Sequence, residues 1–149
     1  MFVSAFDGTK GYQMQMGQKK DMDEKEIKEG QDDKAVIPQL YYLTPEFKLD
    51  YIGTAKVGTE DAYKLKVTKP SGKVVIEYYS TKTGFLLRDE STSVEDGQET
   101  NVVTDYNDYR KVGSIQYPYA FSQQIGEMEM KFTVKDVKIN EGVTDADFQ

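Results

Sequence analysis

Neither cysteine nor histidine occurs anywhere in the 149 residues of this chain. Without cysteine there are no disulfides, no thiolate metal ligands and no thiol nucleophile, although the compartment stays open because many secreted proteins also lack the residue. Without histidine the chain loses the usual general base near neutral pH and the commonest metal ligand, which excludes a Ser-His-Asp triad and an HExxH-type zinc site. No apolar run approaches the roughly 20 residues that cross a bilayer, and no basic-then-apolar leader opens the chain, so it reads as soluble. Positive charge is in short supply too. The 19 Lys and Arg against 26 Asp and Glu give a formal charge of −7, which repels phosphates, argues against nucleic acid as a partner, and lends no attraction toward an anionic membrane. No Gly-rich loop follows a strand and opens a helix, so nucleotide binding has no support.

What is present fits one domain with a single core. Met1 runs directly into the strand-like Phe2-Val3-Ser4-Ala5-Phe6, so the expectation is a piece that begins inside a longer natural chain, with any signal peptide upstream. Residues 2–6 and 12–16 read as two strands joined through Asp7-Gly8-Thr9-Lys10-Gly11, because Gly supplies the backbone conformations a short hairpin needs. An acidic, helix-forming stretch from Asp21 ends at Gly30, a helix stop. The charged run Lys19 to Glu26 serves to keep that helix solvated. A second short helix is expected over Asp33 to Leu43, where Val36, Ile37, Leu40, Tyr41 and Leu43 form one apolar face and Pro38 sits in the first turn. After Pro45 the period changes to two: Leu49/Tyr51, Tyr63/Leu65/Val67, Val74/Ile76/Tyr78 and Phe85/Leu87. Further strands follow near 86–94, 98–109, 114–124 and 127–139, separated by turn residues, with the clearest alternation over Glu127 to Lys135. About nine strands with short links predict a mainly β, α+β fold: an up-and-down antiparallel sheet or incomplete β-barrel with two short helices against its concave side.

The strand Asp61-Ala62-Tyr63-Lys64-Leu65-Lys66-Val67-Thr68, the following Gly72-Lys73-Val74, and Tyr78 through Thr81-Lys82-Thr83-Gly84 to Arg88 resemble the outer-membrane lipoprotein-sorting proteins, the LolA/LolB-like superfamily of the Gram-negative envelope. Phe6 to Tyr12, Asp108 to Tyr119 and Val137 to Phe148 are similar to that group as well. The resemblance implies a strongly curved, incomplete antiparallel barrel whose hollow is plugged by helices and takes up lipid acyl chains. It also implies a periplasmic or outer-membrane-associated location and no enzymatic activity or cofactor. Such domains begin with a long helix and further strands, so the chain corresponds to the C-terminal two-thirds of one, a single truncated domain over residues 1–149. A strand left without its upstream neighbour, at 2–6 or near it, would recruit a second copy through its open edge. Similar segments occur attached to pitrilysin-like zinc peptidases, which opens a second reading: an accessory, protein-interacting domain of a larger protein, with no ligand or chemistry of its own.

Candidate ligand-binding residues follow from both lines. Met14, Met16, Met128 and Met130 alternate along two strands, and flexible thioethers suit a pocket that adapts to variable chains, although they also fill irregular cores. Ile37, Leu40 and Tyr41 would cover the ligand from the helix, and Tyr63, Leu65, Ile76 and Tyr78 would line the sheet. Several of Tyr41, Tyr42, Tyr78, Tyr79, Tyr106, Tyr109, Tyr117 and Tyr119 are expected at the mouth of the hollow, where cross-strand pairing explains them equally well. Asp105-Tyr106-Asn107-Asp108 offers oxygen ligands for calcium but lacks the Gly and distal Glu of an EF-hand loop. Carboxylates are abundant enough for a two-carboxylate glycosidase, yet no pair stands out.

Overall fold

The computed structural model describes residues 2–32, 37–95, 97–139 and 141–142. Within them lie ten strands, one α-helix and one short 3-10 turn, and the chain divides into two compact units. The first unit is built from β1 (Phe2–Phe6), β2 (Gly11–Gln15), β3 (Gln18–Asp21), α1 (Glu24–Asp32), the 3-10 turn Pro38–Tyr41 and the connection 69–73. The second holds β4 (Lys48–Val57), β5 (Glu60–Thr68), β6 (Val74–Ser80), β7 (Leu86–Glu95), β8 (Gln98–Val112), β9 (Ile115–Ile125) and β10 (Met128–Thr133).

In the first unit β1, β2 and β3 form a three-stranded antiparallel sheet. The expected hairpin is there, and Asp7 organises its turn: Oδ1 accepts hydrogen bonds from the Thr9 and Lys10 amides at 2.8 and 2.7 Å. Those amide bonds hold its carboxyl below the usual carboxylate range. The third strand corrects the reading of Lys19 to Asp21 as part of a solvated helical run. Met16 and Gly17 both adopt positive φ, 51° and 81°, the signature of a tight two-residue hairpin that folds Gln18–Asp21 back onto β2. All four β3 side chains are exposed, so no apolar alternation marks them as a strand. The helix is correspondingly shorter at its start. Asp23 accepts from the Glu26 amide while Glu26 reaches back to the Asp23 amide, both at 2.8 Å, a capping box. Gly30 is not its stop but lies within it, since the helix runs on to Asp32; a Cβ there would meet the Phe6 ring at 3.2 Å.

The second expected helix is a further correction. Residues 33–36 lie outside the described residues, and over the rest of the stretch only Pro38–Tyr41 is helical, as a 3-10 turn. Ile37, preceding a proline, is held extended at φ −128° and ψ 84°, which blocks an α-helix from running through it. Pro45 limits it on the other side. The apolar face expected there is not buried: Leu40 is 75% and Leu43 94% exposed.

The second unit is a seven-stranded antiparallel meander in the order β10-β9-β8-β7-β6-β5-β4, open at both ends, so no barrel closes among the described residues. Two-residue links after Val57, Val112 and Ile125 set the register of successive pairs. Three irregularities bend the ladder: at Tyr51/Gly53 in β4, at Tyr78/Tyr79 where β6 pairs with β7, and where Asp108, at φ 54°, is left out of the β8–β9 pairing. The last strand stops at Thr133 rather than 139, although the Val134 amide still reaches the Tyr119 carbonyl at 2.8 Å.

Candidate functional site

Paired residues in an antiparallel ladder project to the same side of the sheet, so the register alone sorts the side chains of the second unit. One row runs Val67, Val75, Ser91, Val102, Ile125, Met128, and the next runs Leu65, Glu77, Asp89, Thr104, Gln123, Met130. A third holds Tyr63 and Tyr79 at one end and Tyr106, Phe121 and Phe132 at the other. These rows make one face rich in aromatic, aliphatic and thioether groups. Phe121 and Phe132 stack at 4.8 Å, with the Tyr106 ring 6.4 Å from Phe121. Toward β10 this surface is open: Met128 is 59% and Phe132 40% exposed. Toward β5 and β6 exposure is mixed: Val67 and Val75 are buried, while Tyr63 is 48% exposed.

The middle row is polar, which the sequence reading missed. Glu77 is only 4% exposed and accepts a hydrogen bond from the Tyr79 hydroxyl at 2.6 Å. Asp89, directly opposite on β7, accepts one from Tyr106 at 2.6 Å. Burial, and after it the neighbouring Asp89 carboxylate, push the Tyr106 hydroxyl far above its ordinary value, so it stays a donor. The signal was ambiguous because Val74/Ile76/Tyr78 and Val75/Glu77/Tyr79 are both near-apolar alternations within one strand. The first is the set expected to be buried, whereas Val75, Glu77, Tyr78 and Ser80 are the buried residues and Val74 is exposed.

The opposite face carries charge. Arg88 holds Asp105 through Nε and a terminal nitrogen at 2.6 and 2.9 Å, the Tyr78 hydroxyl donates to Glu90 at 2.9 Å, and the Lys64 ammonium lies 5.1 Å from the Tyr78 ring centre. Of the expected ligand residues on this sheet, Tyr63, Leu65, Met128 and Met130 therefore share the aromatic face, while Ile76 and Tyr78 project to the charged one. The stretch considered for calcium is divided in the same way: Asp105 is engaged by Arg88, and Asp108 by Arg110 at 2.5 Å. Among the described residues no group of three acidic side chains gathers at ion-binding distance.

The first unit has its own concavity, a cleft of about 520 Å³ lined by Lys28, Gln31, Asp32, Pro38, Tyr41, Glu46, Phe47, Pro70 and Ser71. Asp32, buried at the C-terminal end of α1, bonds both the Ser71 amide at 3.2 Å and the Ser71 hydroxyl. A carboxylate opposes the helix dipole there, so its place is explained by the turn it holds. Glu29 adds an ion pair to Lys73 at 3.2 Å. Of the remaining expected residues Tyr41 lines this cleft, Ile37 and Met14 are half-buried, Leu40 is exposed, and Met16 sits at the tip of the β2–β3 turn.

No family model matches the chain, and no curated protein does. Among solved structures the chain is similar to the crystal structure of a "putative outer membrane lipoprotein-sorting protein domain" from Vibrio parahaemolyticus, with a TM-score of 0.62 at 12% identity. The alignment covers 99% of this chain and 68% of that one. The shared property is the fold, whose likeness to a lipoprotein-sorting domain agrees with the resemblance read from the strand sequences.

Proposed function

We propose that this chain is a non-enzymatic envelope domain, periplasmic or associated with the outer membrane, that holds a lipid acyl chain or another apolar ligand against the aromatic face of its seven-stranded sheet. The observation that carries the reading is the open track of Phe121, Phe132, Met128 and Met130, where rings and thioethers share one face and remain accessible at its β10 end. Likeness in fold to a lipoprotein-sorting domain supports it. The mechanism is partition. Burying roughly ten methylenes against such a surface contributes about 8 kcal/mol before the ligand's lost freedom of motion is subtracted, which leaves the weak, reversible binding a carrier needs if it is also to release its cargo.

A second reading is favoured by a different observation. Glu77 and Thr104 are buried in the middle of the aromatic face, as they would be if the surface were largely closed by the chain's own groups. The domain would then be an accessory module within a larger protein. Displacement of a fluorescent fatty acid separates the two. On the carrier reading the wild type binds the probe, Phe121→Ala weakens binding several-fold, and Ile76→Ala, on the charged face, leaves it unchanged. Equal effects of both substitutions, or no probe binding, favour the accessory module.

A further inference from the structure

The outer edge of β10 is the feature that the ligand-binding reading does not use. Its hairpin with β9 closes through the two-residue link Gly126-Glu127, with Ile125 opposite Met128. In such a hairpin the closing pair exchanges its backbone hydrogen bonds, and so does every second pair after it. Met128, Met130 and Phe132 thus bond inward to β9, and the Val134 amide on the Tyr119 carbonyl continues the series. Glu129, Lys131 and Thr133 turn their backbone N–H and C=O groups outward, where no strand among the described residues pairs with them. An exposed edge of this kind is a template for another strand.

The sequence of that edge is complementary to itself. When two copies of Glu129-Met130-Lys131 run antiparallel about a two-fold axis at Met130, Glu129 falls opposite Lys131 of the second copy, and Lys131 opposite Glu129. Both are outward-bonding pairs, as the ladder requires. Met128 then falls opposite Phe132 of the second copy on the aromatic face, a sulfur–ring contact of a favourable kind. Shifting the register by two residues in either direction sets Glu129 against Glu129 or Lys131 against Lys131, so the charges select one alignment. Of the other edges, β4 offers a comparable triplet, Lys48-Leu49-Asp50, but only at its start, before the irregularity at Gly53; β3 is four residues long with Lys19 and Lys20 adjacent, and β1 carries no charge with which to fix a register.

We infer that β10 is a homodimer interface, in which two copies join edge to edge in this register and continue the sheet and its aromatic face across the two-fold axis. The interface differs from one at the strand 2–6 edge. Lys131 and Glu129 are exposed, at 76% and 54%, so charge reversal there leaves the fold intact. Sedimentation of the whole chain over a concentration series should show a reversible dimer. Lys131→Glu should weaken it about tenfold or more, and the double variant Glu129→Lys/Lys131→Glu should restore it. Met130→Cys, the only thiol in the chain, would face its own copy across a non-hydrogen-bonded pair at about 4.5 Å between Cα atoms, within reach of a disulfide, and should oxidise to a covalent dimer. A chain monomeric up to about 1 mM, a dimer that Lys131→Glu leaves intact, or a dimer in which Met130→Cys does not cross-link would each overturn the inference.

Discussion

Tyr109 donates its hydroxyl to the Leu86 carbonyl at 2.7 Å and stacks on Phe85 at 4.5 Å. Burial pushes that hydroxyl up to about 12 from its ordinary value near 10. A group whose folded value is raised contributes stability that is complete below the unfolded value and is lost as pH climbs toward the folded one. Urea midpoints should therefore hold steady to about pH 10 and fall from there to about pH 12, with Tyr106, raised further still, adding to the decline. In Tyr109→Phe the alkaline slope should be shallower, while the midpoint at neutral pH drops because the Leu86 carbonyl loses its donor. Val67, fully buried in β5, makes the complementary test of packing: Val67→Ala removes two methyl groups and should cost about 2 kcal/mol in urea unfolding. The residues hardest to anticipate were Glu77 and Asp89, since a carboxylate on a strand ordinarily marks the wet face. Only the pairing of β6 with β7, and the tyrosines that reach each acid, places them on the aromatic one.

The elements that could be read from sequence are those in which local chemistry and tertiary environment agree. The β1–β2 hairpin, and the meander from β4 onward, are announced by Gly-containing turns between runs of period two, and each lies where expected to within a few residues at its ends, apart from β10, which stops at Thr133. β3 escaped notice because none of its side chains is buried, and a strand held only by backbone pairing leaves no periodicity. The helical expectation for 33–43 fails over 37–43 because Pro38 holds Ile37 extended and Pro45 closes the other side, which outweighs an apolar spacing of three and four. The residues expected at a ligand follow the same logic: the alternation in β10 and β5 brings Met128, Met130, Tyr63 and Leu65 onto one face, while the doubly apolar β6 projects Ile76 and Tyr78 to the other. One element-level contact was invisible in sequence, the hold of α1 on residues 69–73 through Asp32 and Ser71. Asp32→Ala should destabilise the fold by about 1–2 kcal/mol by leaving the Ser71 amide without its acceptor. Hydrogen exchange should then quicken at Ser71 and Gly72 before the strands of the second unit respond.

For the molecule as a whole, the seven-stranded sheet has one face of ion pairs and one of rings, thioethers and aliphatic groups, and the second is the face on which we propose an apolar ligand lies. No helix among the described residues is long and apolar enough to cross a membrane. The aromatic face, its likeness in fold to a lipoprotein-sorting domain and its open β10 end are together the grounds for assigning an apolar cargo. The direct test is native mass spectrometry of the freshly purified chain, followed by organic extraction of whatever travels with it. A discrete added mass of lipid size, lost on extraction and diminished in Phe121→Ala, is the predicted result. A clean mass of the chain alone, together with failure to take up a fluorescent fatty acid, would contradict the carrier account and leave the domain as an interaction module.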